Sequence, residues 1–299
     1  MTDILIVGAG PAGLTAAIYA RRAGKSVLVL DRESFGGQIN YSPKIENYPG
    51  FTEISGTELA DAFVSQALAQ GADIDIEEVT GITRTQNGFS VATDSGSHEC
   101  RAVILATGAK HRHLGVPGEQ ALIGNGISFC ATCDGAFYAG QHVLVIGGGN
   151  SAAIEALQLA ETSETVTILQ DLPELTCEKS RAEKIYASDN IEVLTGVKVL
   201  AFSSDKGRIN VTITDGISDT PRTITADGVF EAIGLMPDNE AFADLVTLEN
   251  GYVRASDDGL TSSAGIFTAG DCRTKAYRQI TTACADGTAA ALAACAYLS

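Results

Sequence analysis

Residues 4–13 read ILIVGAGPAG, an apolar run of strand length followed by a turn with three glycines in nucleotide-binding spacing. The first glycine permits the turn, the second lets a pyrophosphate approach the backbone, and the third lets the next helix pack on the strand. The helix that follows presents its N-terminus to the phosphates. Asp31 ends the next strand, where a carboxylate accepts a hydrogen bond from a ribose 2′-hydroxyl. The stretch therefore predicts a βαβ unit that binds a dinucleotide.

A second unit of the same kind begins at Val143. Strand residues 143–146 are followed by the turn GGGNSA over 147–152, then by a helical stretch and another apolar strand. Two such units in one chain predict an α/β protein with two Rossmann-like domains, each built on a parallel, doubly wound sheet. We expect a discontinuous first domain of residues 1–114 and 246–299, with the second domain, residues 115–245, inserted into it.

Composition bounds the partners and the compartment. The 299 residues carry a net charge of −17, which disfavours nucleic acid because phosphate backbones would be repelled. No apolar stretch approaches the roughly 20 residues of a membrane span, and no cleavable signal peptide is recognised at the start. We therefore expect a cytoplasmic protein without a membrane partner.

Seven cysteines are present, and one pair, Cys130 and Cys133, has short spacing. Such a pair is half of a zinc site, a redox pair or a coincidence. A zinc site needs two further ligands, and the four histidines offer none at a suitable spacing. A redox role fits better, because Asp134-Gly135 suggests a helix beginning here and a helix N-terminus lowers the pKa of a thiol. No metal site is predicted.

Several separate motifs, in order along the whole chain, resemble the low-molecular-weight thioredoxin reductases. They are Gly36-Gly37-Gln38, residues 46–50 (ENYPG), residues 130–134 (CATCD), residues 265–271 (GIFTAGD) and Tyr277-Arg278-Gln279. The resemblance implies a homodimeric, FAD-dependent disulfide oxidoreductase that reduces a thioredoxin-like protein. It also implies that FAD occupies the N-terminal fingerprint.

The same resemblance implies roles for individual residues. Cys133 is the sulfur next to the flavin, Cys130 attacks the partner's disulfide, and Asp134 is the general acid/base, a role compatible with capping a helix. Asp271 meets the ribityl or phosphate region of the flavin, although a turn aspartate capping the last helix would have the same flanking sequence. The expected cofactor-binding residues are Gly8, Gly10, Pro11, Ala12, Gly13, Asp31, Arg32, Gly37, Gln38, Asn47, Ala106, Thr107, Gly108, Gly270, Asp271, Arg278 and Gln279.

The second fingerprint departs from the family pattern. The position equivalent to Asp31 is Gln170, and residues 170–172 read QDL where NADPH-dependent relatives have a His-Arg-Arg run. Arginine forks clamp a 2′-phosphate, whereas Asp171 would repel it. An arginine survives farther on as Arg181, after a longer and partly acidic loop. The pattern is similar to that of the ferredoxin-dependent flavin thioredoxin reductases, which lack the NADPH determinants.

We therefore expect electrons to arrive from ferredoxin rather than from NADPH. Alternatives are an NAD(P)H-dependent reductase with an atypical nucleotide site, a flavoprotein electron carrier, and a non-catalytic FAD-binding redox sensor. The second pocket could also hold another adenine nucleotide or a second flavin. Ferredoxins are usually acidic, so a docking site needs positive charge, and three segments offer it: Arg273, Lys275 and Arg278; residues 110–113; and Arg21, Arg22 and Lys25.

Overall fold

The computed structural model describes residues 1–215 and 220–299. They form two compact units, one of residues 1–110 and 236–299 and the other of residues 111–235. The predicted α/β class with two parallel sheets is confirmed. Within the described ranges, no helix is long and apolar enough to cross a membrane.

The elements are numbered in chain order. The α-helices are α1 Pro11–Arg22, α2 Gly56–Ala69, α3 Glu119–Leu122, α4 Ala131–Asp134, α5 Asn150–Ala160, α6 Lys179–Tyr186 and α7 Ile280–Tyr297. The strands are β1 Thr2–Val7, β2 Val27–Asp31, β3 Asp73–Ile76, β4 Val79–Arg84, β5 Phe89–Thr93, β6 Ser97–Leu105, β7 Ala109–His111, β8 Ile127–Ser128, β9 His142–Ile146, β10 Thr165–Leu169, β11 Ile191–Leu194, β12 Val197–Asp205, β13 Arg208–Asp215, β14 Arg222–Ala226, β15 Gly228–Glu231, β16 Leu235–Pro237, β17 Leu248–Glu249, β18 Tyr252–Val253 and β19 Ile266–Thr268.

The first unit is built on a seven-stranded sheet in the order β3-β2-β1-β6-β5-β4, with β19 also pairing with β6. Strands β1, β2, β3, β6 and β19 run parallel, whereas β5 pairs antiparallel with both β4 and β6. Residues 4–7 of β1 and 102–105 of β6 are buried, because a hydrophobic core packs on each face of the sheet. Helix α7 packs directly on α1, since Gly287 lies so close that an added Cβ would stand 2.2 Å from the carbonyl oxygen of Ala12. This packing fixes the position of the N-terminal fingerprint turn.

The second unit has a five-stranded parallel sheet in the order β11-β10-β9-β15-β8 and an antiparallel meander, β12-β13-β14. The two fingerprint turns occupy the same place, between β1 and α1 in one unit and between β9 and α5 in the other. Gly8 and Gly147 open these turns with φ of 109° and 123°, and a Cβ on either would collide with a backbone carbonyl. The turns therefore require glycine at both positions.

The chain passes between the units at 110/111 and 235/236, earlier at each crossing than the expected 114/115 and 245/246. Leu114 belongs with the second unit because it packs in that core and its N–H bonds to Glu119. Phe242 and Val246 lie in the core of the first unit and bring residues 236–245 with them. The sequence shows a crossing as a Gly/Pro-rich segment, whereas packing decides to which core the flanking residues belong.

Candidate functional site

Cys130 and Cys133 form a disulfide with Cα atoms 5.3 Å apart. The short strand β8 leads into the pair, and α4 begins directly after Cys130. The Sγ of Cys130 caps this helix by accepting the backbone N–H of Cys133, with an N–S distance of 3.1 Å. A sulfur that accepts an N–H at a helix start is stabilised as a thiolate once the disulfide is reduced.

Asp134 is held beside the pair by a serine that sequence reasoning missed. The hydroxyl of Ser128 donates to Asp134 Oδ2 at 2.6 Å and accepts the N–H of Cys130 at 3.1 Å. Burial raises the pKa of Asp134, and the bond from Ser128 opposes that rise. The raised pKa makes this carboxyl a better proton acceptor than an exposed aspartate, as a general acid/base requires. The sequence signal that could have pointed to Ser128 is a polar residue at the end of a buried strand.

The first fingerprint has an open face at Gly10. A Cβ at Gly13 would lie 1.9 Å from the carbonyl oxygen of Gly8, so α1 sits tightly against the turn. At Gly10 the nearest atom to such a Cβ is 4.0 Å away, and no side chain caps the start of α1. Free space in front of uncapped helix N–H groups suits a pyrophosphate.

The carboxylate of Asp31 holds the fingerprint turn in place through hydrogen bonds from the backbone. Its Oδ2 accepts the N–H of Ala9 at 2.8 Å, and its Oδ1 accepts the N–H groups of Glu33 and Ser34 at 3.0 and 3.3 Å. Ionised carboxylates offer about four acceptor positions, so one remains for a ribose hydroxyl. The sequence predicted the ribose contact but not this structural duty.

Other residues expected to bind the cofactor lie in the same unit, and the structure shows which groups they contact. The loop of Gly36 and Gly37 reaches the turn, since the N–H of Gly36 donates to the carbonyl of Ala9 at 2.8 Å. Asn47 and Gln279, remote in sequence, come together at 3.5 Å between Nδ2 and Oε1. Arg32 pairs with Asp238, an ion pair that sequence reasoning missed.

Thr107 is fixed by a buried asparagine that the sequence did not single out. Its hydroxyl donates to Asn239 Oδ1 at 2.8 Å, and Asn239 Nδ2 donates to the carbonyls of Gly251 and Cys272. One fully buried side chain thus joins the turn after β6 to two later loops. Ala106 and Gly108 flank that turn.

At the second fingerprint, Gln170 does not face an open pocket. Its side chain is 4% exposed; Nε2 donates to the carbonyl of Glu174 at 3.3 Å, and Oε1 accepts the N–H of Asp171 at 3.2 Å. A Cβ at Gly148 would lie 2.5 Å from this amide. Arg181, the surviving arginine, pairs with Glu178 at 3.2 Å.

The loop after β10 also closes on this turn. The N–H of Thr176 donates to the carbonyl of Gly148 at 2.8 Å, which is the contact that Gly36 makes at the first fingerprint. The N–H of Glu178 donates to Asn150 Oδ1 at 2.9 Å. Where the first turn meets two glycines without side chains, the second meets a threonine and an acidic residue.

Comparison with known proteins agrees with this architecture. The family model described as pyridine nucleotide-disulphide oxidoreductase matches residues 2–287. Thioredoxin reductase of Treponema pallidum is 41% identical over 99% of this chain and 97% of its own length. The crystal structure of thioredoxin reductase from Streptococcus pyogenes superposes with a TM-score of 0.96 at 38% identity, covering 100% of this chain and 98% of that one.

The chain belongs to the low-molecular-weight thioredoxin reductase family. A further relative, 38% identical over 99% of this chain and 97% of its own length, is a 34.2 kDa protein in the rubredoxin operon of Clostridium pasteurianum. Proteins of this reductase family are FAD-dependent, and the expected cofactor is confirmed.

Residues of this reductase's first unit fit FAD. The Oδ1 atom of the half-buried Asp271 is inaccessible to solvent and has no hydrogen-bond partner among residues 1–215 and 220–299. Burial raises the pKa of Asp271, while Lys275 and Arg278 act to lower it. A buried oxygen without a donor is costly, and a ligand hydroxyl would remove that cost. Together with the open turn at Gly10, this orphaned oxygen gives the unit the polar groups that a flavin nucleotide needs.

One of the three basic segments expected to dock ferredoxin, that of Arg273, Lys275 and Arg278, has most of its charge engaged within the protein. Arg273 is 8% exposed and binds Asp286 through two bonds of 2.9 and 2.8 Å, and Lys275 Nζ lies 2.8 Å from the same carboxylate. Arg278 places its guanidinium over the ring of Tyr252 at 4.3 Å. Arg273 and Lys275 therefore neutralise a buried aspartate and do not form a surface patch.

A second buried carboxyl pair lies in the other unit. Glu231 is 2% exposed, and neither of its oxygens has a donor within the described ranges. The group that faces it is the carboxylate of Glu119, which already accepts the N–H groups of residues 114–116. Burial and the facing carboxylate of Glu119 together raise the pKa of Glu231 to about 9, so Glu231 is protonated at neutral pH. His113 lies with these two glutamates in a group that could hold a metal ion. The protonation of Glu231 already explains how two carboxyl groups can lie close together here.

Glu231→Gln is expected to remove a pH dependence of stability. The folded pKa lies above the unfolded one, so the stabilisation is complete below about pH 4.5 and declines as pH rises towards 9. One proton is released on unfolding in that window, which corresponds to a slope of about 1.4 kcal/mol per pH unit. Urea unfolding of the second unit at pH 6 and pH 8.5 should show a smaller loss for the glutamine variant. An equal fall in the free energy of unfolding of both proteins would contradict the raised pKa of Glu231.

Proposed function

We propose that this reductase transfers electrons from ferredoxin, through FAD and the Cys130–Cys133 pair, to the disulfide of a thioredoxin-like protein. The thioredoxin-like acceptor follows the relatives that are thioredoxin reductases by name. The turn of residues 8–13 and Asp31 would hold the ADP half of FAD, and Asp271, Asn47 and Gln279 the flavin half. We further propose a homodimer, as the family resemblance implies.

The chain's own groups account for the disulfide chemistry. FAD, when bound, would supply the electron pair that reduces the disulfide, and we propose Cys133 as the sulfur that receives it. The reduced pair carries two added protons when both sulfurs are thiols, and Asp134, held by Ser128, moves one of them. The Cys130 thiolate then attacks the partner's disulfide and forms a mixed disulfide. Cys133 displaces the partner, which leaves as a dithiol after protonation, and the Cys130–Cys133 bond is restored.

The proposal on the donor rests on the two selectivity groups of the second fingerprint and not on its turn, where the nearest atom to an added Cβ at Gly149 is 3.9 Å away, much as at Gly10. A nicotinamide dinucleotide needs a carboxylate for its ribose or arginines for its 2′-phosphate. Gln170 is buried with both ends of its amide bonded inside the chain, and Arg181 is neutralised by Glu178. Gln170 is therefore unavailable to a nucleotide, and Arg181 stands beside an acidic neighbour.

The test is anaerobic reduction of the FAD-loaded protein, followed by flavin absorbance. Reduced ferredoxin is expected to bleach the flavin, while stoichiometric NADPH or NADH leaves it oxidised. Dithionite bleaches the same samples and serves as the control for a competent flavin. Rapid bleaching by either nicotinamide cofactor would contradict the proposed donor and leave the disulfide chemistry intact.

Thiol counting after ferredoxin reduction tests the second half of the proposal. Two new thiols, at Cys130 and Cys133, are expected for each reduced protein and should disappear on addition of oxidised thioredoxin. A reduced flavin with an intact disulfide would instead favour an electron carrier or a redox sensor.

A further inference from the structure

One buried carboxylate, that of Asp286 on α7, holds the loop between β19 and α7. The backbone N–H of Gly270, the residue before Asp271, donates to Asp286 Oδ2 at 3.1 Å. Arg273 donates to both carboxylate oxygens at 2.9 and 2.8 Å, and Lys275 Nζ donates to Oδ2 at 2.8 Å. The side chains of Arg273, Lys275 and Asp286 are each 10% exposed or less. Asp286 therefore acts as the common acceptor for the β19–α7 loop.

Asp271 lies in this loop among cations but keeps a bare oxygen. Its Oδ1 is inaccessible to solvent and has no hydrogen-bond partner in the described parts of the chain. Three basic residues follow it in the loop: Arg273, Lys275 and Arg278. Arg273 and Lys275 form ion pairs with Asp286 instead. A bare carboxylate oxygen beside cations requires that those cations be held by other groups.

Two of the three cations are fixed in orientation by several contacts each. Arg278 donates to three backbone carbonyls of the loop at 3.4 Å, and its guanidinium carbon lies 4.3 Å from the ring centre of Tyr252. Arg273 bonds both oxygens of Asp286 through one edge of its guanidinium, and its remaining nitrogen donates to the carbonyl of Thr274. A planar guanidinium with this many donors engaged does not change partner readily.

Lys275 is the cation best placed to turn towards Asp271. Its Nζ and the N–H of Gly270 bond to the same oxygen of Asp286, so the ammonium lies close to the residue that precedes Asp271. Burial raises the pKa of Asp271, and Lys275 opposes this rise more than Arg278 does. An ammonium is a compact charge on a flexible stem, and its other partner here is a neutral hydroxyl on α7 at 3.1 Å.

We propose that Asp286 is a positioning residue for FAD binding: by engaging Arg273 and Lys275, it keeps Asp271 free of ion pairs and its bare oxygen available to the cofactor. Without the charge of Asp286, Lys275 pairs with Asp271 and closes that contact. The inference rests on the proposed contact between Asp271 and FAD, and it extends that proposal to a residue that acts through its neighbours.

The experiment measures how tightly FAD is held by the loaded full-length protein. Each variant is diluted in steps, free and bound FAD are separated by ultrafiltration, and the dissociation constant is obtained from the free fraction. Thermal unfolding of the same samples reports whether each variant is folded.

Asp286→Asn keeps the size of the side chain and one oxygen as acceptor but loses the charge. It should weaken FAD binding about tenfold or more, because Lys275 then pairs with Asp271 and hydrogen bonds between charged groups are worth that much. Removing the competing cation as well, in Asp286→Asn/Lys275→Met, should restore the affinity to within about threefold of wild type. A purely structural role for Asp286 predicts no such rescue, since the second substitution removes a further bond from the loop.

Two single variants serve as controls. Asp61→Asn, which removes an exposed charge from α2 in the same unit, should bind FAD as wild type does. Lys275→Met alone should do the same, because the ammonium is engaged by Asp286 and not by Asp271 in the wild-type protein.

Wild-type FAD affinity in Asp286→Asn would overturn the proposal, as would a folded double variant that binds FAD no better than the single one. If Asp286→Asn does not fold, the double variant decides alone: binding within about threefold of wild type supports the proposal, and weaker binding overturns it. Unfolding of both variants would show that Asp286 serves the fold and not the cofactor, which also overturns it.

Asp271→Ala separates this inference from the proposal on which it rests. Weak FAD binding in that variant, together with an unaffected Asp286→Asn, would refute the positioning role alone. Wild-type binding in Asp271→Ala would instead refute the contact of Asp271 with FAD.

Discussion

Serine at Cys133 is expected to abolish reduction of a thioredoxin disulfide, and serine at Cys130 to do the same. Each variant lacks one of the two sulfurs that must be joined and separated in every cycle, so turnover should fall by about 1,000-fold or more, as for other residues that act as a unit. The fold should survive. Cys130 caps α4 through its sulfur, and serine is a strong helix N-cap.

The two variants differ in what they trap, which tests the assignment of roles. Reduced Cys133→Ser protein keeps the attacking Cys130 and lacks the resolving sulfur, so it should accumulate a mixed disulfide with oxidised thioredoxin, visible on non-reducing gels. Cys130→Ser protein should form none, but should show long-wavelength absorbance from the Cys133 thiolate beside the flavin. The reverse pattern would exchange the two roles.

Alanine at Gly10 and alanine at Gly13 are expected to fail in different ways. At Gly13 the new Cβ would lie 1.9 Å from the carbonyl of Gly8, so α1 must move away from β1. The first unit should lose about 3 kcal/mol or more of its free energy of unfolding, since overpacking against backbone cannot relax cheaply.

At Gly10 the backbone has φ −79° and ψ −177°, which alanine adopts freely, and the nearest atom is 4.0 Å from the new Cβ. The protein without FAD should unfold as wild type does. FAD affinity should nevertheless fall about 100-fold, equivalent to nearly 3 kcal/mol, because the methyl group takes the space of the pyrophosphate. Measurements are thermal unfolding of the flavin-free proteins and fluorescence titration with FAD. Wild-type FAD affinity in Gly10→Ala would show that this space does not belong to the cofactor.

Much of the fold and part of the site follow from short stretches of sequence. The pattern from Ile4 to Gly13 and its repeat from Val143 depend on contacts within one βαβ unit, so local periodicity and glycine spacing suffice to predict them. The spacing of Cys130 and Cys133 likewise determines that the two sulfurs can be joined. Crossing points between the units were less predictable, because the core that buries Phe242 or Leu114 lies elsewhere in the chain.

The charged residues show where sequence reasoning stops. From the sequence, Asp271 was expected to contact the flavin or to cap the last helix, and Arg273 and Arg278 were grouped as bases of one docking segment. In the fold, Asp286 has two cationic partners and Asp271 keeps a bare oxygen. Arg273 and Lys275, expected at a docking surface, form an internal ion pair with Asp286. Asp271, for which two roles were open, is now the best candidate for a cofactor contact.

The sequence by itself determined two nucleotide-type units, a dithiol and the loss of the usual nicotinamide determinants. These are matters of residue type at fixed local spacing. The tertiary structure alone decided that Gln170 is held by the backbone of its own loop and that Glu231 is buried facing Glu119. Each of these depends on burial and on partners brought from other segments, and desolvation sets the charge of a carboxyl only once its surroundings exist.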